Sequence, residues 1–191
     1  EYVTEDTTVF YIADITISKF TPDGTSLIYS TYCGGGSQDF PHSLIVNNEN
    51  ELIVFGATGS SDYPITAGCY DNSFNGGSVI SIEGVLFFNA GSDAFITKFN
   101  LDGTDLIGST FFGGTSNDAL NVGETAYNYG DHARGEVNTD DLGNIYIASC
   151  THSSNLPVSP GVFQNVLGGQ QDGFIAKFND DLTGLIWSSF I

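Results

Sequence analysis

The stretch Asp93–Phe99, which reads DAFITKF, decides the fold class because two related copies occur in this chain of 191 residues. The copies begin at Asp14 and at Asp172, and the lysine of the motif stands at positions 19, 98 and 177. Successive copies are therefore 79 residues apart. A fixed period of this kind indicates a repeat architecture, in which each copy is one supersecondary unit.

Two further motifs follow the same repeat. The first, of the form L-I-x-S-[TS]-[YF], occurs with the 79-residue spacing at Leu27–Tyr32, Leu106–Phe111 and Leu185–Phe190. The second occurs at Thr58–Pro64 and again at Thr151–Pro157, which lie 93 residues apart. The difference between the 79-residue and 93-residue spacings indicates an insertion near 119–133 in the second unit. An insertion near 78–91 in the first unit compensates for this added length.

Composition predicts an all-β fold. Hydrophobic residues make up 40% of the chain, and there are 24 glycines. The apolar runs are short, rich in β-branched and aromatic residues, and bounded by glycine, asparagine, aspartate and proline, as in strands joined by tight turns. No apolar run approaches the roughly 20 residues of a transmembrane helix, so we expect no direct membrane insertion. The chain starts without methionine, which suggests a mature or excised segment.

Each unit is predicted to contain four strands. In the first complete unit they are placed near 43–47, 51–56, 94–100 and 105–112. Turns of the Asn-Leu-Asp-Gly and Thr-Pro-Asp-Gly type join the last two strands in the first two copies, because glycine accepts a positive φ. In the third copy Leu182 replaces this glycine. We expect the third turn to have a different shape.

The repeats resemble the SBBP family of bacterial β-propeller repeats. The resemblance rests on the two strand motifs above and on a T-x-S-S-x-x-P-x-x-x-G-x-[YF] motif at Thr58–Tyr70 and, with Asn155 and Leu156 inside it, at Thr151–Phe163. It covers nearly the whole chain from Asp14 onward. It implies that each unit is a four-stranded antiparallel blade. Such repeats are common in large secreted proteins of Bacteroidetes-type bacteria, often exported by type IX secretion, and the family has no shared activity.

The resemblance defines a domain prediction. Residues 1–191 are expected to be part of one β-propeller domain, with a half blade at 13–33 and full blades at 42–113 and 133–191. About four to eight blades close a propeller. An open arc of two and a half blades exposes apolar faces at both ends, so we expect the rest of the propeller in the same polypeptide. The alternative is a free-standing small sandwich.

In this topology the long loops gather on one face. They span 58–92, 115–134 and 151–171, and long loops on a rigid scaffold commonly carry binding function. The aromatic residues expected to be exposed on these loops and to contact a partner are Tyr63, Tyr70, Phe74, Tyr127 and Tyr129. The apolar insertion near 78–91 is expected to form an ordered extra hairpin. The polar insertion near 119–133 is expected to be more mobile.

Charge narrows the class of partner. Twenty-three acidic residues stand against four basic ones, so the formal net charge is −19. Such a field repels nucleic acid and anionic membrane surfaces. The repeat lysines are predicted to be structural, with each stem packed between blades and each ammonium near a carboxylate.

The repeated aspartates are candidate calcium ligands. Calcium takes six to eight oxygen ligands, often from acidic loops. The candidates are Asp14, Asp93, Asp172, Asp39 and Asp118. The alternative is that these carboxylates accept backbone N–H groups at turns. No EF-hand loop pattern accompanies them.

Other reactive residues give weaker signals. The three cysteines allow either one disulfide with a free thiol or three reduced thiols. The three histidines match no metal motif. The chain contains no nucleophile elbow, zinc-protease motif, Walker loop or Rossmann fingerprint, so we predict a protein that is not an enzyme. A fragment of a propeller glycan-active enzyme is a third, weaker hypothesis.

The sequence therefore predicts a non-catalytic propeller segment of a secreted or cell-surface protein. In the leading hypothesis it is a binding or adhesion module whose long-loop face contacts a protein or a surface glycan. In the alternative it is a passive structural module, or the cargo of a type IX secretion apparatus in contact with outer-membrane secretion components.

Overall fold

The computed structural model of the chain describes residues 2–5, 8–82, 86–122 and 130–191, with side chains from residue 12 onward. These residues contain β-strands and no helix, which confirms the prediction of an all-β fold. Consequently no helix that is long and apolar enough to span a membrane occurs in the described ranges. In chain order the strands are β1 (Tyr2–Glu5), β2 (Thr8–Tyr11), β3 (Ile15–Phe20), β4 (Leu27–Cys33), β5 (Asp39–Val46), β6 (Leu52–Thr58), β7 (Ile80–Ile82), β8 (Leu86–Phe88), β9 (Asp93–Phe99), β10 (Leu106–Phe112), β11 (Glu136–Thr139), β12 (Ile145–Thr151), β13 (Asp172–Phe178) and β14 (Leu185–Phe190).

The described strands form two four-stranded antiparallel sheets and three two-stranded ones, of which one is called the half-sheet here. Sheet I has the order β5-β6-β9-β10, and sheet II has the order β11-β12-β13-β14. The half-sheet consists of β3 and β4. Lys19, Lys98 and Lys177 lie at the same place in β3, β9 and β13, so the sequence repeat is also a structural repeat. The four predicted strands of the first complete unit are all present, although β5 begins earlier, at Asp39.

Sheet I is covered on both faces, because the half-sheet and sheet II pack against it. Successive residues of a strand point to opposite faces. Phe95 accordingly packs with Ile17 of the half-sheet, whereas its neighbour Ile96 packs with Val137 and Ile147 of sheet II. All seven residues of β9 are buried. Burying a large apolar side chain contributes roughly 1.5–3 kcal/mol, so these two clusters hold the three sheets together.

The segment after the second strand of each unit runs along the outer edge of its own sheet. The N–H of Thr66 donates to the carbonyl of Ser109 (3.1 Å), and the N–H of Phe111 donates to that of Asp71 (3.1 Å). Sheet II repeats both bonds between Ser159 and Ser188 (3.0 Å) and between Phe190 and Gln164 (3.1 Å). Part of each long loop therefore protects an edge strand that would otherwise present unpaired backbone groups.

The turn between the last two strands keeps one shape in all three copies, so the prediction of a different third turn is wrong. Gly24, Gly103 and Leu182 have φ of 70°, 67° and 58°. Each donates its N–H to the carbonyl three residues earlier. Leucine adopts this left-handed conformation at a cost of roughly 1–2 kcal/mol. The side chain of Leu182 is fully buried in the cluster between sheets I and II, and this burial offsets the strain.

The first insertion forms the predicted hairpin. Strands β7 and β8 pair with each other, and Phe88 is fully buried in the cluster between sheets I and II. A second hairpin, β1–β2, precedes β3 much as β7–β8 precedes β9. The sequence comparison missed this correspondence because the two hairpins share no motif. The second insertion includes residues 123–129, which lie outside the described residues.

The repeat lysines generate a stability prediction. The Lys98 side chain is 2% exposed, and its Nζ lies 2.7 Å from Glu51 Oε2 and 2.6 Å from Asp180 Oδ1. We expect Lys98→Met to lower the free energy of unfolding by roughly 1–3 kcal/mol, because two carboxylates lose their buried cation. Urea unfolding followed by the fluorescence of Trp187, the single tryptophan, measures this loss.

Lys19→Met is the matched control. Lys19 is partly exposed and donates to the carbonyl of Leu101 (3.1 Å). Its replacement should cost less than about 1 kcal/mol, as for most exposed polar contacts. Equal losses for the two variants would contradict the structural role assigned to the buried lysine.

Candidate functional site

The predicted calcium ligands Asp39 and Asp118 lie in two copies of one hydrogen-bond network. Asp39 accepts hydrogen bonds from the N–H of Gly35 (2.7 Å), the hydroxyl of Thr58 (2.5 Å) and the hydroxyl of Ser60 (3.0 Å). Asp118 accepts the corresponding bonds, and the equivalent donors are Gly114, Thr151 and Ser153. Each carboxylate thereby connects the Gly-Gly turn to the end of the second strand.

Two of the other three candidates, Asp93 and Asp172, also accept N–H groups. Asp93 receives those of Asn75 (2.7 Å) and Gly76 (3.0 Å). Asp172 receives the N–H of Gly168 (2.5 Å) and the side-chain amide of Gln164 (2.9 Å). These contacts place the start of the third strand against the loop that precedes it.

Two carboxylates approach each other at the first glycine of each Gly-Gly turn. A Cβ added at Gly113 would lie 2.7 Å from Asp118 Oδ2 and 2.8 Å from Asp93 Oδ1. At Gly34 the corresponding distances are 2.7 Å to both Asp14 Oδ1 and Asp39 Oδ2. No side chain fits between the paired carboxylates, which explains why glycine occupies both positions.

Burial dominates the electrostatics of these pairs. Desolvation, with a smaller contribution from the neighbouring Asp118 carboxylate, raises the pKa of Asp93 to about 8 against the lowering effect of two N–H donors. Desolvation raises the pKa of Asp118 to about 6, and it also raises that of Asp39. A buried carboxylate near another carboxylate favours its neutral form.

The geometry assigns these aspartates a local structural role. Asp39 and Asp118 are buried and use both oxygens for hydrogen bonds within the chain. Among the described residues, no group of three or more histidine, cysteine or acidic side chains is placed to hold a metal ion. Calcium binding at the five aspartates stays a prediction, and the hydrogen bonds of Asp39, Asp93, Asp118 and Asp172 favour the alternative of capping for these four.

The aromatic residues predicted to contact a partner are largely committed to packing. Tyr63 is 2% exposed and stacks on Phe95 with a centroid separation of 4.5 Å, so its predicted exposure is wrong. Tyr70 is half-buried and contacts Phe178 of sheet II, with centroids 5.6 Å apart. Phe74 is half-buried against Phe111. The remaining two candidates, Tyr127 and Tyr129, lie outside the described residues.

The cysteines and histidines are dispersed. Cys33, Cys69 and Cys150 are all free thiols, which corresponds to the second of the two alternatives for them. Burial raises the pKa of Cys150 to about 11, so its thiol is a poor nucleophile at neutral pH. His42 packs edge-on against Phe55, and desolvation lowers its pKa to about 3. His132 and His152 each bond to a backbone carbonyl.

A groove on the long-loop face, with polar and charged side chains in its lining, escaped the sequence analysis. It has a volume of about 660 Å³ and lies beside the start of β11, the end of β12 and the start of β13. Its lining includes Arg134, Glu136 and Gln171. Arg134 is the chain's single arginine, and its guanidinium lies 2.7 Å from Asp131 Oδ1. A single arginine in an acidic chain is a feature of the sequence that could have pointed to this groove.

Comparison of the sequence with protein-family models and with curated proteins finds no match.

The buried carboxylate pair generates a pH prediction. A group whose folded-state pKa is raised stabilises the fold most below its unfolded pKa, and this contribution is lost as pH rises through the folded value. Between the folded values of about 6 for Asp118 and about 8 for Asp93, the latter still binds a proton in the folded chain. We expect the free energy of unfolding to fall by roughly 1–3 kcal/mol across this window.

Asp93→Asn should flatten that part of the profile, measured by urea unfolding at a series of pH values. Asp102→Asn, in an exposed turn, controls for the change in net charge. A profile of unchanged slope in Asp93→Asn would contradict the assignment of the titration to this carboxyl group.

Proposed function

We propose that residues 1–191 form consecutive blades of a β-propeller and act as a rigid, non-catalytic scaffold in a secreted or cell-surface protein. The observation that carries this proposal is the repeated joint between sheets, in which Asp39 and Asp118 make matching hydrogen bonds in successive units. Successive sheets joined in the same way, face against face, are the building principle of propellers. The resemblance of the repeats to the SBBP family supports the same architecture and a secreted location.

A scaffold role agrees with the use of the long loops. Their aromatic side chains pack on the sheets, and their backbone protects edge strands. The aspartates between them hold turns in place. Because the loop residues make these contacts within the chain, the passive structural module is favoured over the binding module among the hypotheses drawn from the sequence. Cargo of a type IX secretion apparatus remains one form of such a module.

A second candidate function is binding of a protein or surface glycan at the groove beside Arg134. The supporting observation is the combination of an open groove with an arginine whose side chain is 68% exposed. Arginine presents several fixed donors and suits the hydroxyl and carboxylate groups of such partners. The location agrees with the face that the loop topology assigns to binding.

Spin labels test the propeller arrangement. Asp23, Asp102 and Asp181 stand at equivalent exposed positions of the three copies. Labels attached through an unnatural amino acid at pairs of these sites report three distances. With a constant rotation of about 45–72° per blade, the end-to-end distance is about 1.6–1.85 times the distance between neighbours. A ratio close to that of a straight stack, about 2, contradicts the proposal.

The groove is tested by binding of the purified chain to envelope fractions and to immobilised glycans. We expect Arg134→Glu to weaken binding at least about tenfold, equivalent to about 1.4 kcal/mol, because it reverses the charge in the groove. Asp141→Ala changes an exposed residue in the β11–β12 turn and is the control. Equal binding by both variants would contradict the binding function of the groove, and the scaffold function would be the one proposal left.

A further inference from the structure

The half-sheet leaves one edge of β3 unpaired within the described chain. In sheets I and II the third strand has neighbours on both sides, since β9 pairs with β6 and β10, and β13 pairs with β12 and β14. Strand β3 occupies the same place in its copy but pairs only with β4 in the described ranges. An unpaired edge presents a row of N–H and C=O groups to any strand that can align with it.

An apolar groove lies beside this edge. It has a volume of about 580 Å³ and lies between β3, which contributes Ile15 and Ile17, and the first two strands of sheet I, β5 and β6, which contribute Leu44, Leu52 and Val54. The groove is therefore bounded by a strand edge on one side and by the face of a neighbouring sheet on the other.

The repeat shows what normally covers such a surface. Val137 of β11 is the counterpart of Leu44 of β5 in the next unit. Val137 is 6% exposed because it packs with Ile53 and Phe55, which belong to the second strand of the preceding sheet. Leu44, with no such strands beside it, is 63% exposed. The groove corresponds to the space that the first two strands of a unit fill elsewhere in the molecule.

A second comparison concerns charge. Lys98 pairs with Glu51, and Lys177 pairs with Asp140, and both acidic residues belong to the connection between the first and second strands of the same sheet. Lys19 bonds to the carbonyl of Leu101 instead, and no carboxylate of the described residues forms an ion pair with it. An occupant with an acidic turn would complete the pattern.

We propose that the groove and the free edge of β3 bind an antiparallel β-hairpin with the pattern of this chain's own β5–β6 hairpin. Such an occupant adds two strands to the half-sheet, and its second strand pairs with β3. In sheet I, Phe55 pairs with Ile96 and Ile53 pairs with Lys98. The same register places the apolar side chains of the occupant opposite Ile17 and its acidic turn near Lys19.

Main-chain hydrogen bonds along the edge supply affinity in this mode of recognition, and alternate side chains in the groove supply specificity. The inference needs only the equivalence of the third strands. It does not require that the sheets close into a ring, so it goes beyond the proposed function.

The test uses a synthetic peptide with the sequence of residues 39–58, labelled with a fluorophore and titrated into the chain. We expect saturable binding by fluorescence anisotropy. Hydrogen exchange should then show protection of β3 amides and unchanged exchange in β14. The same peptide with Phe55→Pro should bind at least about tenfold more weakly, because proline removes a donor from the pairing strand.

Two variants of the protein locate the site. Leu44→Asp places a charge in the groove at an exposed position that the fold tolerates, and it should weaken peptide binding at least about tenfold. Leu142→Asp changes a leucine that is 82% exposed and lies in the turn between β11 and β12, and it should bind the peptide as the unmodified chain does.

Several results would overturn the proposal. The first is that the peptide does not bind, and the second is that the proline peptide binds as tightly as the unmodified one. The third is that Leu44→Asp binds the peptide as the unmodified chain does, and the fourth is that amides of β14 are protected in place of those of β3. A concentration-dependent dimer of the chain alone, with its β3 amides protected, would show that a second copy occupies the edge.

Discussion

The buried carboxylate of Asp118, like that of its counterpart Asp39, is the constraint on which the joint between units depends. Asp118 receives the Gly114 N–H from the end of the preceding sheet and the hydroxyls of Thr151 and Ser153 from the end of its own second strand. Its own N–H donates to the carbonyl of Ser92, at the start of the preceding third strand. The side chain and backbone of this one residue thus connect the Gly-Gly turn and the start of β9 to the end of β12.

This arrangement has an energetic cost that the burial of apolar residues offsets. Desolvation raises the pKa of Asp118 and of Asp93, so ionisation works against the fold as pH rises. The hydrogen bonds are retained because leaving the turn N–H groups unpaired inside the molecule would cost roughly 1–3 kcal/mol each. A similar compensation occurs at Leu182, where the burial of the side chain offsets a strained backbone conformation.

The two ends of the row of packed sheets differ from its middle. Phe20, at the position of Phe99, is 55% exposed where its counterpart is 5% exposed. Phe163, at the position of Tyr70, is 89% exposed, whereas Tyr70 contacts the next sheet. At the two ends these side chains are exposed. Their counterparts in the middle pack against a neighbouring sheet. The scaffold proposal and the strand-addition inference both follow from this difference.

The sequence by itself determined the repeat, the four strands of each unit and the equivalence of the three lysines, because these features depend on local periodicity and turn chemistry. It also identified Asp39, Asp93 and Asp118 as repeated positions, although not what they bind. Only the tertiary structure decided that these carboxylates cap backbone groups, that Tyr63 is buried and that Leu182 keeps the shape of a glycine turn. Each of these outcomes depends on a neighbour from a distant segment, and the spacing of residues along one chain carries no information about which distant groups will surround a given side chain.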